Sequence, residues 1–255
     1  MSVRSACRPP GDGETVRLPA AQINGRRQTP KRYSIMLVQS FAEVRSFVGS
    51  GGALSRSGHS QTPVAFLDRD GVINANRDSH VRSWDDFEFL PGALDAIAVL
   101  TRSGWRIVVV TNQAIINRGQ ITATELGQLH QRMADVVREH GGQLSAVYAC
   151  PHRPDEGCRC RKPEPGLVIA AADQHNAELE RSYLIGDHVT DVEAARRAGC
   201  RSILVLCGRH REFDGETVPD TCVAVVPDLL AAAHWIVQAD AERPKDADRK
   251  GATAC

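Results

Sequence analysis

The sequence predicts an α/β protein built on a doubly wound, mainly parallel sheet. Three observations carry this reading. Short apolar runs alternate along the chain with segments that have helical spacing and helix-end residues. The first run, Val64-Ala-Phe-Leu67, is apolar without interruption, as suits a strand covered on both faces. Polar, reactive side chains follow one strand after another at its carboxyl end, which is where ligands bind in such sheets.

Residues 1 to about 60 are rich in Arg, Lys, Ser, Gly and Pro and poor in acids, with one moderately apolar piece around Met36 to Val48. That composition predicts a flexible extension without a secretory apolar core or the amphipathic repeat of a transit peptide. Gly49 to Gly52 and Ser55 to Pro63 read as linker, and the main domain is expected over residues 61–240. After the first strand, Asn74 to Phe89 reads as a polar loop, and Pro91 to Gly104 as a helix with Pro at its start and Gly at its end. Trp105 to Val110 is the second strand. Thr122 and Glu125 make a capping box for a helix to about Glu139, whose inner face is Leu126, Leu129, Met133 and Val136/Val137. Leu144 to Tyr148 is the third strand, Pro165 to His175 a helix, and Arg181 to Asp187 the fourth strand. A helix from Asp191 to Ala198, a strand from Ser202 to Leu206, a further strand from Val223 to Val226 and a helix from Leu229 to Val237 complete the pattern. The tail, residues 241–255, has no apolar pattern and is expected to be disordered.

With 255 residues, 42% of them hydrophobic, the chain has enough apolar surface for a sizeable core. Lys+Arg and Asp+Glu both number 31 and aromatic residues make up 5%, which argues against a nucleic-acid partner. No apolar run approaches the roughly 20 residues needed to span a bilayer. Of the eight cysteines, Cys150, Cys158 and Cys160 cluster and the others scatter, a pattern for one metal site in a reducing cytoplasm rather than for a disulfide framework. A cytoplasmic monomer is expected.

The chemistry concentrates at four strand ends. Asp68 and Asp70 follow the first strand. If the chain stays extended there, both carboxylates point the same way and crowd one volume, which asks for a hard divalent cation such as Mg2+ and suggests phosphoryl chemistry with one of the two as nucleophile. Thr111, Asn112 and Gln113 follow the second strand, Arg161 and Lys162 follow a loop after the third, and Asp187 with Asp191 follows the fourth. A hydroxyl and nearby N–H groups can hold phosphate oxygens, a cation can neutralise the transferring group, and a third carboxylate can complete a metal shell.

Phe66-Leu-Asp-Arg-Asp-Gly-Val-Ile-Asn74, Val110-Thr-Asn-Gln113, Cys160-Arg-Lys-Pro163 and Ile185-Gly-Asp-His-Val-Thr-Asp191 together resemble, in order, the motifs of the haloacid dehalogenase superfamily. The resemblance implies a Rossmann-like sheet of that type with Asp68 as nucleophile and Asp70 as the acid/base. It also implies Thr111, Asn112, Gln113, Arg161 and Lys162 around the phosphoryl group, and Mg2+ on Asp68, Asp187 and the carbonyl of Asp70.

Cys150, His152, Cys158 and Cys160 offer three thiolates and an imidazole within eleven residues, a full donor set for a closed, structural Zn2+. The charged, Gly- and Pro-containing residues between them argue against a chance cluster of buried cysteines. This loop makes the chain similar to the branch of the superfamily that holds the heptose bisphosphate and histidinol-phosphate phosphatases, and no large cap domain is expected. Phe87 to Gly92, Asn117-Arg-Gly119 and Cys160 to Gly166 are similar to the heptose group, whereas Ala114-Ile-Ile116, His188 and the short spacer from His152 to Cys158 depart from it. The implied substrate is a small phosphorylated sugar, a heptose 1,7-bisphosphate losing its 7-phosphate. Histidinol phosphate is the alternative, and a catalytically silent phosphosugar-binding module the other. Arg77, His80, Arg82, Arg118 and Arg161 are candidates for a second phosphate.

Overall fold

Residue alternation along the strands builds two apolar faces, and helices cover both. The computed structural model describes residues 34–37, 61–208 and 220–243. Its strands are β1 (Ser34–Leu37), β2 (Val64–Leu67), β3 (Arg106–Asn112), β4 (Ala146–Cys150), β5 (Tyr183–Gly186), β6 (Arg201–Val205) and β7 (Cys222–Val226). Its α-helices are α1 (Ala93–Arg102), α2 (Ala123–Glu139), α3 (Gly166–His175), α4 (Val189–Ala198) and α5 (Leu229–Ala241). All seven strands pair in parallel in the order β1-β4-β3-β2-β5-β6-β7.

Ala65, Leu67, Ile107, Val109, Ile185 and Ile203 face α1, α2 and α5 in one core, while Val64, Phe66, Val108, Val110, Tyr148 and Leu184 face α3 and α4 in another. The period of two thus feeds both layers, and a strand such as β2, fully buried at every residue, has no polar side to show. Among the described residues no cap domain is inserted between strands.

The expected elements are present, with informative shifts at their ends. β3 and β4 run two residues beyond the predicted strands because Thr111 pairs with Ala149 and Asn112 with Cys150, a ladder that local apolarity does not reveal. α5 continues four residues past Val237, through Asp240, which salt-bridges Arg181 at 3.6 Å. The segment read as a polar loop has an aromatic heart: Trp84 stacks on Phe87 with centroids 5.0 Å apart, Phe89 packs edge-on to Phe87, and Arg132 of α2 lies over the Trp84 ring. Within the extension expected to be flexible, Ser34–Leu37 is a strand on β4. The rest of residues 1–60 and the tail beyond 243 lie outside the described residues.

Candidate active site

The chain leaves β2 toward β3 and β4 on one side and returns through β5 to β7 on the other, so the carboxyl end of β2 lies at the topological switch. Asp68 is the first residue beyond that strand, and its N–H still extends the ladder to Ile185 O at 2.9 Å. Its Oδ1 meets Lys162 Nζ at 2.9 Å. Lys162, 3% exposed, also pairs with Asp191 Oδ1 at 2.6 Å and donates to Val110 O at 2.9 Å. Burial alone would lower the Lys162 pKa, but Asp191 and Asp68 raise it above the ordinary value, so the ammonium stays charged. Burial pushes the Asp68 carboxyl up to about 6 against the pull of Lys162, and burial likewise raises Asp191.

Asp68, Asp187 and Asp191 bring one ligand oxygen each to within 4.8 Å of one another. Three carboxylates and one ammonium leave a formal charge of −2, which one divalent cation would balance, and an all-oxygen donor set suits Mg2+. Asn76 Nδ2 donates to Asp187 Oδ2 at 2.7 Å. Gly71, at φ 87°, passes so close that a Cβ there would collide with both side chains.

The extended-strand expectation for Asp68 and Asp70 fails here. The chain turns at Asp70-Gly71, closing on Asn74 through a Gly71 N–H to Asn74 O bond of 2.7 Å, and the Asp70 carboxylate points to other partners. Asp191 stands in the carboxylate cluster instead. Asp70 Oδ1 accepts from Asn74 Nδ2 at 2.9 Å and Oδ2 from Gln113 Nε2 at 2.8 Å. The Arg69 guanidinium closes on both oxygens, at 2.8 Å and 2.9 Å from Nη2. Burial would raise the Asp70 pKa, but Arg69 and these hydrogen bonds together hold it below the ordinary value.

The other expected residues divide by what they touch. Thr111 is 1% exposed and its Oγ1 accepts from Gln113 Nε2 at 2.9 Å, which leaves its own O–H proton to donate. The carboxamide of Asn112 pairs with the Lys162 backbone, with Lys162 N donating to Oδ1 and Nδ2 donating to Lys162 O, both at 3.1 Å. These two bonds hold the Lys162 backbone against the end of β3. Arg161 Nη1 donates to His152 O at 3.2 Å. At the rim, Arg118 Nη1 lies 3.0 Å from His80 Nε2, while Arg77 turns away to Glu88 at 2.9 Å.

Two residues escaped the sequence reading: Arg69, wholly buried, and His130, a buried histidine of α2 whose Nε2 lies 3.1 Å from Arg69 Nη1. The available signal was a histidine on the apolar stripe of α2 between Leu126 and Met133.

The second donor cluster lies between β4 and α3. Cys150 Sγ is 3.2 Å from Cys160 Sγ and 3.7 Å from Cys158 Sγ; Cys158 and Cys160 are 3.6 Å apart; His152 Nδ1 is 3.5 Å from Cys150 Sγ and 3.2 Å from Cys160 Sγ. A tetrahedron with Zn–S bonds of about 2.3 Å has S···S edges of about 3.7 Å, so the donor set fits that ion. The Cys160 thiol beside it draws the Cys150 thiol down to about 6, and the same contact pushes Cys160 up. Cys150 and Cys160 are buried, against the expectation that the loop composition forbids it, because the exposed residues 153–157 bulge outward between buried ends. Gly166 at the start of α3 lies against Arg159 O, where a Cβ would clash with the backbone, so the loop closes on the helix only over glycine.

A parallel sheet with acids, a lysine and a threonine gathered at its switch point is the arrangement of a HAD-type hydrolase, and the HAD-hydrolase-like family matches residues 159–232. The D-glycero-beta-D-manno-heptose-1,7-bisphosphate 7-phosphatase of Pseudomonas putida is 39% identical over 174 residues, 68% of this chain and 99% of that protein. The enzyme of the same name from Bordetella bronchiseptica is 38% identical over 175 residues, 69% of this chain and 98% of that protein. The crystal structure of D,D-heptose 1,7-bisphosphate phosphatase from B. bronchiseptica, complexed with magnesium and phosphate, superposes with a TM-score of 0.67 at 37% identity, covering 70% of this chain and 99% of that one. The chain belongs to this family of HAD phosphatases, the heptose bisphosphate phosphatases. It is a phosphatase.

Proposed function

We propose that the protein hydrolyses the 7-phosphate of D-glycero-D-manno-heptose 1,7-bisphosphate in a Mg2+-dependent reaction through an aspartyl-phosphate on Asp68. The observation that carries the reading is the buried Lys162 bridging Asp68 and Asp191 beside Asp187, a constellation two positive charges short of neutrality. Asp68 and Asp187, with the Asp70 carbonyl and with Asp191 near enough to contribute, are the residues to hold Mg2+. When bound, that ion neutralises phosphoryl oxygens and aligns the phosphorus with the nucleophile. Asp68 attacks phosphorus while Lys162 and the Thr111 hydroxyl hold the phosphoryl oxygens, and Asp70, in its protonated form, delivers a proton to the departing sugar oxygen. Asp70 then takes a proton from the water that attacks the acyl phosphate, which releases phosphate and restores Asp68. Gln113 ties Asp70 to Thr111, so the acid/base and the phosphoryl anchor share one support. Cys150, His152, Cys158 and Cys160 hold a structural Zn2+ that fixes the loop leading to Lys162.

The names of the relatives support the sugar, and so does the rim. Arg118 and Arg161 supply cationic donors for a second phosphate, with His80 accepting from Arg118, whereas Arg77 is engaged with Glu88. Histidinol phosphate would need a carboxylate for its amine. Asp78, Asp85 and Asp86 are nearby carboxylates in the loop after β2, and Asp86 spends Oδ2 on the N–H groups of Arg82 and Ser83. Reducing conditions for the thiolates and a soluble sugar substrate suit the cytoplasm. The test is kcat/KM for the heptose bisphosphate, histidinol phosphate and fructose 1,6-bisphosphate under identical Mg2+. The heptose bisphosphate should lead; preference for histidinol phosphate would overturn the substrate assignment.

A further inference from the structure

Arg69 is the largest of the wholly buried side chains among the described residues, and the reaction scheme gives it no task. Its Nε and Nη2 fall on Asp70 Oδ1 at 3.1 and 2.8 Å, and Nη2 also meets Oδ2 at 2.9 Å. The other end of the fork, Nη1, meets His130 Nε2 at 3.1 Å. A guanidinium only donates, so Nε2 must present its lone pair and His130 must carry its proton on Nδ1. That Nδ1 is buried and has no hydrogen-bond partner among the described residues. Burial, with Arg69 alongside, drives the His130 pKa well below the ordinary histidine value, which agrees with a neutral ring. An apolar side chain would fill this site on α2 without stranding an N–H, so packing alone does not account for histidine here.

We infer that Arg69 and His130 are positioning residues for Asp70: His130 sets the plane of the guanidinium, and the guanidinium sets the plane of the carboxyl group. The inference rests on Asp70 as the acid/base. In the first step the Asp68–phosphorus bond forms, the bond to the leaving oxygen breaks, and that oxygen takes a proton from Asp70. In the second step Asp70 recovers a proton from the attacking water. Asn74 and Gln113 hold one carboxyl oxygen each, but only the Arg69 fork spans both and fixes the plane. Small misplacements of such a group are expensive in rate.

The test uses two esters that differ in their need for the proton. β-Glycerophosphate loses an alkoxide and requires it, whereas p-nitrophenyl phosphate loses a stable phenolate. kcat/KM reports the steps through departure of the leaving group, so the ratio of the two values reads the acid. His130→Leu keeps the bulk and removes the acceptor; it should cut kcat/KM about 10- to 100-fold on β-glycerophosphate and no more than about 3-fold on p-nitrophenyl phosphate. His130→Gln, whose amide oxygen can stand where Nε2 stands, should bring the ratio back toward the wild-type value. Arg69→Lys keeps the charge without the fork and should shift the ratio as His130→Leu does, which serves if the leucine variant does not fold. Equal losses on both esters, or an unchanged ratio in folded variants, overturn the inference. Asp70→Asn measured alongside separates the two readings. If it also leaves the ratio unchanged, the acid/base assignment fails and the inference with it; if it shifts the ratio while the Arg69 and His130 variants do not, the inference alone fails.

Discussion

Asp68 is held in a state that a cation should change. Its carboxyl is pushed up to about 6, above the 3.8 of an exposed carboxyl, chiefly by burial. The folded protein therefore favours the protonated form. The stability this contributes is complete below about pH 3.8 and lost as pH rises through about 6 in the metal-free protein. The proposed Mg2+ would bind the ionised form, so the two effects would oppose one another. At 100 times its dissociation constant Mg2+ should add about 2.7 kcal/mol at pH 7.5, or roughly 5–10 °C in Tm, and the increment should shrink as pH falls below about 6. Thermal melts with and without Mg2+ across that range check it, and an increment independent of pH would show that Asp68 is not a ligand. At this scale the sequence was legible where a reactive side chain directly follows a strand or loop end: Asp68, Lys162 and Asp187 meet as expected. Spacing along one strand did not place the Asp70 carboxylate, which lies beside the tight turn from Gly71 to Asn74, and the Arg69–His130 contact joins segments about 60 residues apart.

The loop that carries Cys150, His152, Cys158 and Cys160 has few apolar side chains of its own. Residues 153–157 are exposed, and the loop is held at its ends by Cys150 at the close of β4 and by Cys160 next to Arg161 and Lys162. Asn117 Nδ2 also bonds Glu156 Oε2 at 2.8 Å, so the loop after β3 leans on it. Purified protein should carry about one zinc per chain, and Cys158→Ser should lose it at a cost of at least about 2 kcal/mol, or about 4–8 °C in Tm. Metal analysis beside melting curves decides, and unchanged zinc content would end the assignment. The start of α2 was legible because its signal is local: Thr122 and Glu125 form the expected capping box, with Glu125 N bonded to Thr122 Oγ1 at 3.1 Å. Strand ends were not, since β3 and β4 lengthen each other through a pairing that no single stretch encodes.

Across the whole molecule the parallel sheet was legible from the alternation of apolar runs and capped helices. Its edge was not. β1 comes from a segment of weak apolar pattern and pairs with β4 more than a hundred residues later, a partnership set by tertiary context. Removing residues 1–60 would take β1 away and bare the outer edge of β4, a row of unpaired N–H and C=O groups. The truncated protein should melt lower and aggregate at lower concentration while its kcat is retained; an unchanged Tm and solubility would mean that β1 adds nothing.

Trapping the phosphoryl group proposed for Asp68 is the direct measurement. Enzyme mixed with substrate and Mg2+ is acid-quenched within a turnover, reduced with borohydride, digested and read by mass spectrometry. An aspartyl-phosphate at Asp68 converts that residue to homoserine, and the account predicts homoserine at position 68, dependent on substrate and Mg2+ and absent in Asp68→Asn. Homoserine at position 70 in its place, or an unmodified peptide from an enzyme turning over at full rate under conditions that trap a known aspartyl-phosphate, would contradict it.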